Sequence, residues 1–457
     1  MVPIVIICYN NYKYVDNMIK QLKQINHTYV NHIQILDNCS TCVETQEYLK
    51  KVTCKVIYNK KNQGPWITGT QNVEIFRSLP KKYIVTDADL ELNKNLPNNF
   101  IEQLLELSNK YNFFKIGFAL DISDSDKMFD LPYFDGKTIY DWEKQFWTQK
   151  IPNDQYELYG APIDTTFSLI NKEPSSGQIR VAGNFTAKHL PWYKQNPVYT
   201  LYESYTAKSS GISTTDRMIK GFVDAHYLKI NKNKQTFLFE NDLSNPNLPF
   251  WRDIYNWWEG DTFVVFDRFL RKDKIFIDIG GWIGTTCMYG SRLSKHVYSV
   301  EADKQSYDDM SKNCSVNCIN NYTLLNNAIY DKDDTLITFG KNKFIHNSKL
   351  NDSTSQIYLE DEVTDGTYSI KTITINKIIE KFNINPTEIS LIKVDIEGGE
   401  EFILNDLYNL YNKYNTPLYI SFHYDWWKNK DLNRFSFLTE DQKQEILKNP
   451  FGSLLFK

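Results

Sequence analysis

Short apolar runs alternate, through the first quarter of the chain, with stretches in which apolar residues recur every three or four positions. The run VPIVIIC (2–8) is brief and rich in β-branched residues, which predicts a buried strand. Val15, Met18, Ile19, Leu22 and Ile25 follow at helical spacing, with Asp16 in the first turn. HIQILD (32–37), CKVIYN (54–59) and KYIVTD (82–87) predict three further strands. QNVEIFRSL (71–79) predicts a helix, and Phe100, Ile101, Leu104 and Leu105 mark another. Strands alternating with helices imply a mostly parallel sheet. Residues 111–225 are less regular and rich in Tyr, Trp and Phe, with a strand-like IDTTFSLIN (163–171).

The polar, proline-ending stretch NKNKQTFLFENDLSNPNLP (231–249) reads as an interdomain linker. A second alternating pattern then begins. DKIFIDIGGWIGTT gives a strand and a glycine-rich turn into a helix. HVYSVEA (296–302), TLLNNAIYD, TLITF and SLIKVDIEGGE read as strands, EEFILNDLYNLYNKY as a helix, and PLYISFHYDWW as a closing strand. NDSTSQIYLEDEVTDG (351–366) is a polar insertion, and 341–366 is a candidate acceptor loop by position. No repeat of solenoid period is present. The expectation is two different α/β domains, 1–230 and 250–457, joined by 231–249.

Composition narrows the class. A chain of 457 residues suits two cores rather than one. A formal charge of −4 gives no general attraction to nucleic acid or anionic membranes. No run of about 18 apolar residues predicts a membrane span. MVPIVIICYNNY has neither a basic n-region nor a small-residue cleavage site, so a soluble, cytoplasmic protein without a signal peptide is expected. The seven cysteines, including Cys39 and Cys42 as C-x-x-C, lack the four-ligand spacing of a zinc site and read as reduced thiols.

In open parallel sheets, ligands bind beyond the carboxyl ends of the strands. Polar clusters fall there: Tyr9, Asn10 and Asn11 after strand one, Asp37 and Asn38 after strand two, and Asn62 and Gly64 in NQGPW after strand three. Strand four ends in Asp87 and Asp89, whose spacing turns both carboxylates to one side. Their repulsion needs an offsetting cation or a proton. Mg²⁺ or Mn²⁺ takes one or two carboxylates and shares its remaining shell with phosphate oxygens. On spacing alone, solvated strand-end carboxylates remain the plain alternative.

The order IVIICYNN, ILDNCS, NQGP, YIVTDADLEL resembles the GT-A fold of family-2-like glycosyltransferases over roughly residues 1–110. The resemblance implies a nucleotide-diphosphate sugar donor, with Asp37 at the base, Tyr9, Asn10, Asn62 and Gly64 lining the donor site, and Asp87 and Asp89 at the metal and diphosphate. APIDTTFSLIN and RVAGNFTAKHLPWY are similar to segments of a bacterial-type subset. There His189 is either a third metal ligand or a residue packed on Trp192 and Tyr193. Asp164 is either the general base for the acceptor hydroxyl or a strand-start aspartate bonded to backbone. Trp142, Trp147, Trp192 and Tyr193 are candidates for stacking on an acceptor sugar or for core packing.

In the second half, Gly280, Gly281 and Gly284 in FIDIGGWIGTT allow close backbone approach to a ligand. The turn lacks the G-K-[ST] of a phosphate loop. Glu301, about 20 residues on, is placed to hold ribose hydroxyls. This local pattern suits NAD or S-adenosylmethionine alike. From FWRDIYNWWEGDTFVVFDRFL through SLIKVDIEGGEE, about residues 247–425, the sequence resembles FkbM-type methyltransferases. That resemblance implies the class I Rossmann-like fold and S-adenosylmethionine-dependent O-methylation. Asp278, Gly280 and Gly284 would line the cofactor path, Glu301 would take the ribose, and Asp395 and Glu397 would sit beside the sulfonium rather than a metal. A carboxylate or His423 would accept the hydroxyl proton; for His423 a packed strand position is the alternative.

The expectation is a bifunctional glycan-modifying enzyme that transfers a sugar with Mn²⁺ or Mg²⁺ and methylates a sugar hydroxyl. The alternatives are a methyltransferase whose N-terminal domain only binds glycan or nucleotide, a dehydrogenase-like second domain, and a binding module.

Overall fold

The computed structural model describes residues 2–173, 176–206, 214–342, 353–358 and 367–457. The chain forms two compact units, Met1–Ala225 and His226–Lys457.

In the first unit the strands are β1 (Ile4–Cys8), β2 (Ile33–Asp37), β3 (Lys55–Tyr58), β4 (Lys82–Asp87), β5 (Leu90–Leu92), β6 (Lys115–Leu120), β7 (Lys150–Ile151), β8 (Leu158–Tyr159), β9 (Ser168–Asn171) and β10 (Gln178–His189). They form one sheet in the order β3-β2-β1-β4-β9-β6-β10-β8-β7, with β5 on β10. The expected parallel core is β3-β2-β1-β4. It ends where β9 pairs antiparallel with β4 and β6. β1 is buried on both faces: Ile4, Ile6 and Cys8 join one core, Val5 and Ile7 the other. That explains its continuous apolar run. The helix Tyr12–Ile25 buries Tyr14, Val15, Met18 and Leu22, and the helix Phe100–Tyr111 buries Phe100, Ile101, Leu104 and Leu107. Only the second half of IDTTFSLIN is strand; residues 163–167 run as irregular chain beside the end of β4.

The stretch read as a linker is instead part of the second unit. β11 (Tyr227–Lys232) and β12 (Gln235–Glu240) form a hairpin whose turn carries Asn233 at φ 50°. Phe237 and Phe239 are fully buried, and Phe239 stacks on Trp251 at 3.9 Å. The buried apolar run is short and flanked by polar residues, which is why the whole stretch resembled a linker.

β13 (Ile275–Ile279), β14 (His296–Val300) and β15 (Tyr322–Leu325) precede a smaller sheet of β16 (Ala328–Ile329), β17 (Leu336–Gly340), β18 (Gln356–Tyr358) and β19 (Thr367–Ile373). β20 (Ile389–Val394), β21 (Leu418–Ser421) and β22 (Ser453–Phe456) complete a six-stranded sheet, β15-β14-β13-β20-β21-β22. It is parallel except for β22, which runs against β21, so PLYISFHYDWW does not supply the last strand. TLLNNAIYD divides between the two sheets. Most of the candidate acceptor loop, 343–352 and 359–366, lies outside the described residues. Among the described residues, no helix is long and apolar enough to cross a membrane.

Candidate active sites

In the first unit, β5 follows the Asp87–Asp89 pair at once and lies antiparallel to the end of β10, with His189 opposite Leu90. This pairing brings His189 from a hundred residues away to Asp89, Nε2 to Oδ2 at 3.3 Å. The other Asp89 oxygen, Oδ1, is buried without a hydrogen-bond partner, as is His189 Nδ1. The His189 ring also meets Trp192 edge-on at 4.8 Å. Burial opposes charge on His189, but Asp89, and then Asp87 and Asp164, raise its pKa overall. Asp87 accepts a hydrogen bond from the Thr165 hydroxyl. Burial first, and the Asp89 charge second, push the Asp87 carboxyl well above its ordinary range.

Asp87, Asp89 and His189 do not converge on a single point. Asp87 is drawn toward Thr165, leaving Asp89 and His189 as the adjacent pair. Asp164 is exposed beside them, and its backbone carbonyl accepts from Lys115 Nζ, which also donates to Ile163 at 3.2 Å. Burial pushes Lys115 down to about 8, against the pull of Asp164 and Asp87.

The other predicted donor-site residues shape the surrounding loops. Asn10, at φ 55°, accepts from the N–H groups of Thr41 and Cys42 at 2.7 and 2.8 Å. The buried Asp37 carboxylate accepts from the Ser40 hydroxyl at 2.6 Å and its N–H at 3.1 Å. Asn62 caps the Gly64 N–H at 2.9 Å, and the Gly64 carbonyl accepts from Asn38 and Asn72. Tyr9 is half-buried, its N–H donating to Asn11. Trp192 and Tyr193 are buried in the core rather than presented to an acceptor. Trp142 is half-buried against Phe134 at 4.3 Å, and Trp147 against Tyr159 at 5.3 Å.

In the second unit, a cavity of about 680 Å³ opens at the carboxyl ends of β13, β14, β20 and β21. Gly280, Glu301, Asp395, Glu397 and His423 all line it. Gly280 has φ 80°, and a Cβ there would stand 1.8 Å from the Asp395 carbonyl oxygen. A Cβ at Gly281 would stand 2.3 Å from Ser299 Oγ, and one at Gly284, at φ 96°, 3.3 Å from Met310. These glycines therefore let the turn pack on the protein's own strands, beyond any approach to a ligand. Only Gly280 of the three reaches the cavity wall.

Asp278 is fully buried behind the cavity wall rather than on it. Strand register aligns Ser299, Asp278 and Lys393 side by side across β14, β13 and β20. Asp278 accepts from Thr286 at 2.9 Å and Ser299 at 3.3 Å, with Lys393 Nζ 3.6 Å away. Lys393, buried on its strand, donates to the Gly280 carbonyl at 2.7 Å. Burial disfavours its charge, yet Asp278, Asp395, Glu259 and Glu301 raise its pKa overall. The sequence reading missed this lysine and Glu259. Burial pushes Glu259 up to about 7, and its Oε2 is buried without a hydrogen-bond partner at the cavity wall.

Glu301 accepts the N–H of Trp282 at 2.8 Å and of Asp303 at 2.7 Å, one on each oxygen. Burial still pushes it up to about 7. His423 Nδ1 pairs with the fully buried Glu400 at 3.0 Å, while Nε2 lies 3.3 Å from Glu397 and 3.7 Å from Asp395. Burial works against a charged ring, but Glu400, Glu397 and Asp395 push His423 up to about 10.

Residues 4–153 match the family model of the glycosyl transferase family 2, and residues 278–443 that of the methyltransferase FkbM domain. No curated protein matches the chain. Among solved structures, the FkbM methyltransferase from Methylobacillus flagellatus KT is 16% identical, with TM-score 0.22 and 33% of each chain covered. The mannosyltransferase from Pyrobaculum calidifontis, in complex with GDP-Man and Mn²⁺, is 10% identical with TM-score 0.25, over 38% of this chain and 44% of that one. The chain thus spans less than half the length of either, and the assignment rests on the two family models. In chain order, the molecule thus matches the glycosyl transferase family 2 model in its first unit and the methyltransferase FkbM domain model in its second.

Proposed function

We propose that the first domain transfers a sugar from a nucleotide-diphosphate donor with a divalent cation, and that the second O-methylates a sugar hydroxyl. The observation that carries the first half is the buried, unpartnered Asp89 Oδ1 next to His189 at the end of β4. A buried carboxylate oxygen without a donor fits a cation, and Mn²⁺ accepts an imidazole ligand beside oxygen. Asp89 and His189 hold the ion, with Asp87 beside them. The ion supplies charge neutralisation for the leaving diphosphate. Asp164, exposed at the same rim, takes the proton of the acceptor hydroxyl, which fits inversion at the anomeric carbon.

The second half rests on the cavity at the strand ends. Glu301 receives the ribose hydroxyls, and Gly280 allows the turn to close on β20. When bound, S-adenosylmethionine supplies an electrophilic methyl group. Lys393 holds the Gly280 carbonyl and keeps the surrounding carboxylates from repelling one another. The cavity walls position the acceptor and exclude water.

A thermal-shift screen of nucleotide sugars with and without Mn²⁺ tests the first half. A ligand at 100 times its dissociation constant adds about 2.7 kcal/mol. A metal-dependent shift with one nucleotide class, absent in the Asp87→Ala, Asp89→Ala double variant, is expected. No shift with any nucleotide sugar would remove the donor assignment.

A further inference from the structure

Asp395 and Glu397, expected beside the methyl donor, are joined by His423 from the end of β21. One donor atom from each of the three lies within 4.8 Å of the others, and no other group of three or more His, Cys, Asp or Glu among the described residues converges in this way. We infer that Asp395, Glu397 and His423 form a second divalent-cation site, inside the methyl-transfer cavity, that holds a hydroxyl-bearing acceptor.

Three observations carry this. The first is spacing. His423 Nε2 lies 3.3 Å from Glu397 Oε2 and 3.7 Å from Asp395 Oδ1. Adjacent ligands of an octahedral ion with bonds of about 2.1 Å stand about 3.0 Å apart, so a small inward movement closes the shell. The second is an unmet need. Glu397 Oε2 is buried and no hydrogen bond reaches it, although the imidazole is near. Glu397 stands in the turn after β20, at φ 55°. The third is the support behind the ring. Glu400 is fully buried and fixes His423 Nδ1 at 3.0 Å, while the Trp427 indole and the Gly398 N–H donate to the same carboxylate at 3.0 and 3.2 Å. A carboxylate behind the far nitrogen of a histidine is the usual means of aiming the near nitrogen at a metal.

Two carboxylates and one imidazole make a hard donor set with room for oxygen ligands, which favours Mn²⁺ or Mg²⁺ over softer ions. The open side of the trio faces the cavity, where Ser421, Asn449 and Ser453 add polar groups. An acceptor with neighbouring hydroxyls fits there, its oxygens completing the ion's shell. This inference rests on the methyl-transfer reading of the cavity, so its test must separate the two.

Mn²⁺ binding to the full chain, followed by the electron paramagnetic resonance of the free ion, provides that test. An Asp89→Ala background removes the ion of the first domain. This variant should still bind one Mn²⁺. Adding Glu397→Gln, or separately His423→Gln, should weaken that binding at least tenfold. Calorimetric binding of S-adenosylhomocysteine by the same samples should persist, showing that the domain remains folded. If the Asp89→Ala chain binds no Mn²⁺, or binds it equally well with Glu397→Gln and with His423→Gln, the second cation site is wrong, whatever the cofactor does. If S-adenosylhomocysteine fails to bind the unaltered chain, the methyl-transfer reading falls, and the Mn²⁺ titration still decides the metal site by itself.

Discussion

Individual side chains show where local pattern suffices and where it stops. Asp87 and Asp89 were legible as a pair at a strand end, but the spacing did not show that Asp87 turns to Thr165 while Asp89 meets His189. Glu301 was legible by its distance from the glycine turn. Lys393 was not: a lysine inside LIKVD reads as an interruption of an apolar strand, and its use depends on register with Asp278 one strand away. Glu400 likewise looked like an ordinary acidic residue in a helix's first turn. Two predictions belong here. Gly280→Ala should destabilise the second domain by at least about 1–3 kcal/mol, from the φ of 80° and the clash with the Asp395 carbonyl, measured by chemical denaturation. The second concerns pH. With the Glu301 carboxyl pushed up to about 7, folding favours its protonated form, so that share of stability is complete below the ordinary carboxylate range and lost as pH rises through about 7. Ribose binding has the opposite sign, because the hydroxyls need an ionised acceptor. Calorimetric affinity for S-adenosylhomocysteine should fall as pH drops below about 7, by up to about tenfold per unit, and Glu301→Gln should flatten the profile.

Elements carry the information that residues alone do not. Helical periodicity located the helices Tyr12–Ile25 and Phe100–Tyr111 well, and the apolar runs located the parallel core strands. The β11–β12 hairpin was misread because the buried run Phe237, Leu238 and Phe239 is short and lies among Asn and Lys that suggested a linker. His189 shows the same limit from the other side. Its proximity to Asp89 comes from the β5–β10 pairing, a long-range contact with no local signature. The hairpin gives a direct test. A fragment beginning at His226 should fold and bind S-adenosylhomocysteine, whereas one beginning at Pro249 should lose cooperative unfolding, since Phe237 and Phe239 would be missing from the core. In the full chain, Phe239→Ala should cost about 3–5 kcal/mol of the second unit's stability, by loss of the stack on Trp251 and the cavity left behind.

For the molecule as a whole, two strand-end sites share a superficial signature, an acid–x–acid at the close of an apolar strand, and differ in what surrounds it. In the first unit the pair meets a histidine brought by an antiparallel strand, at a site read as binding a sugar donor. In the second it meets a histidine at the end of a parallel strand, within the walls of a large cavity. The family order was legible from sequence because both motif sets are spread along successive strand ends, whereas the Asp278, Lys393 and Glu400 arrangements depend on how those strands are packed. The most direct test of two separate chemistries in one chain measures Mn²⁺-dependent hydrolysis of a panel of nucleotide sugars and binding of S-adenosylhomocysteine on the same preparations. Asp87→Ala with Asp89→Ala should abolish hydrolysis and leave cofactor binding intact, while Glu301→Ala should do the reverse. Loss of both functions from either change, or no hydrolysis of any nucleotide sugar by the unaltered chain, would contradict the account.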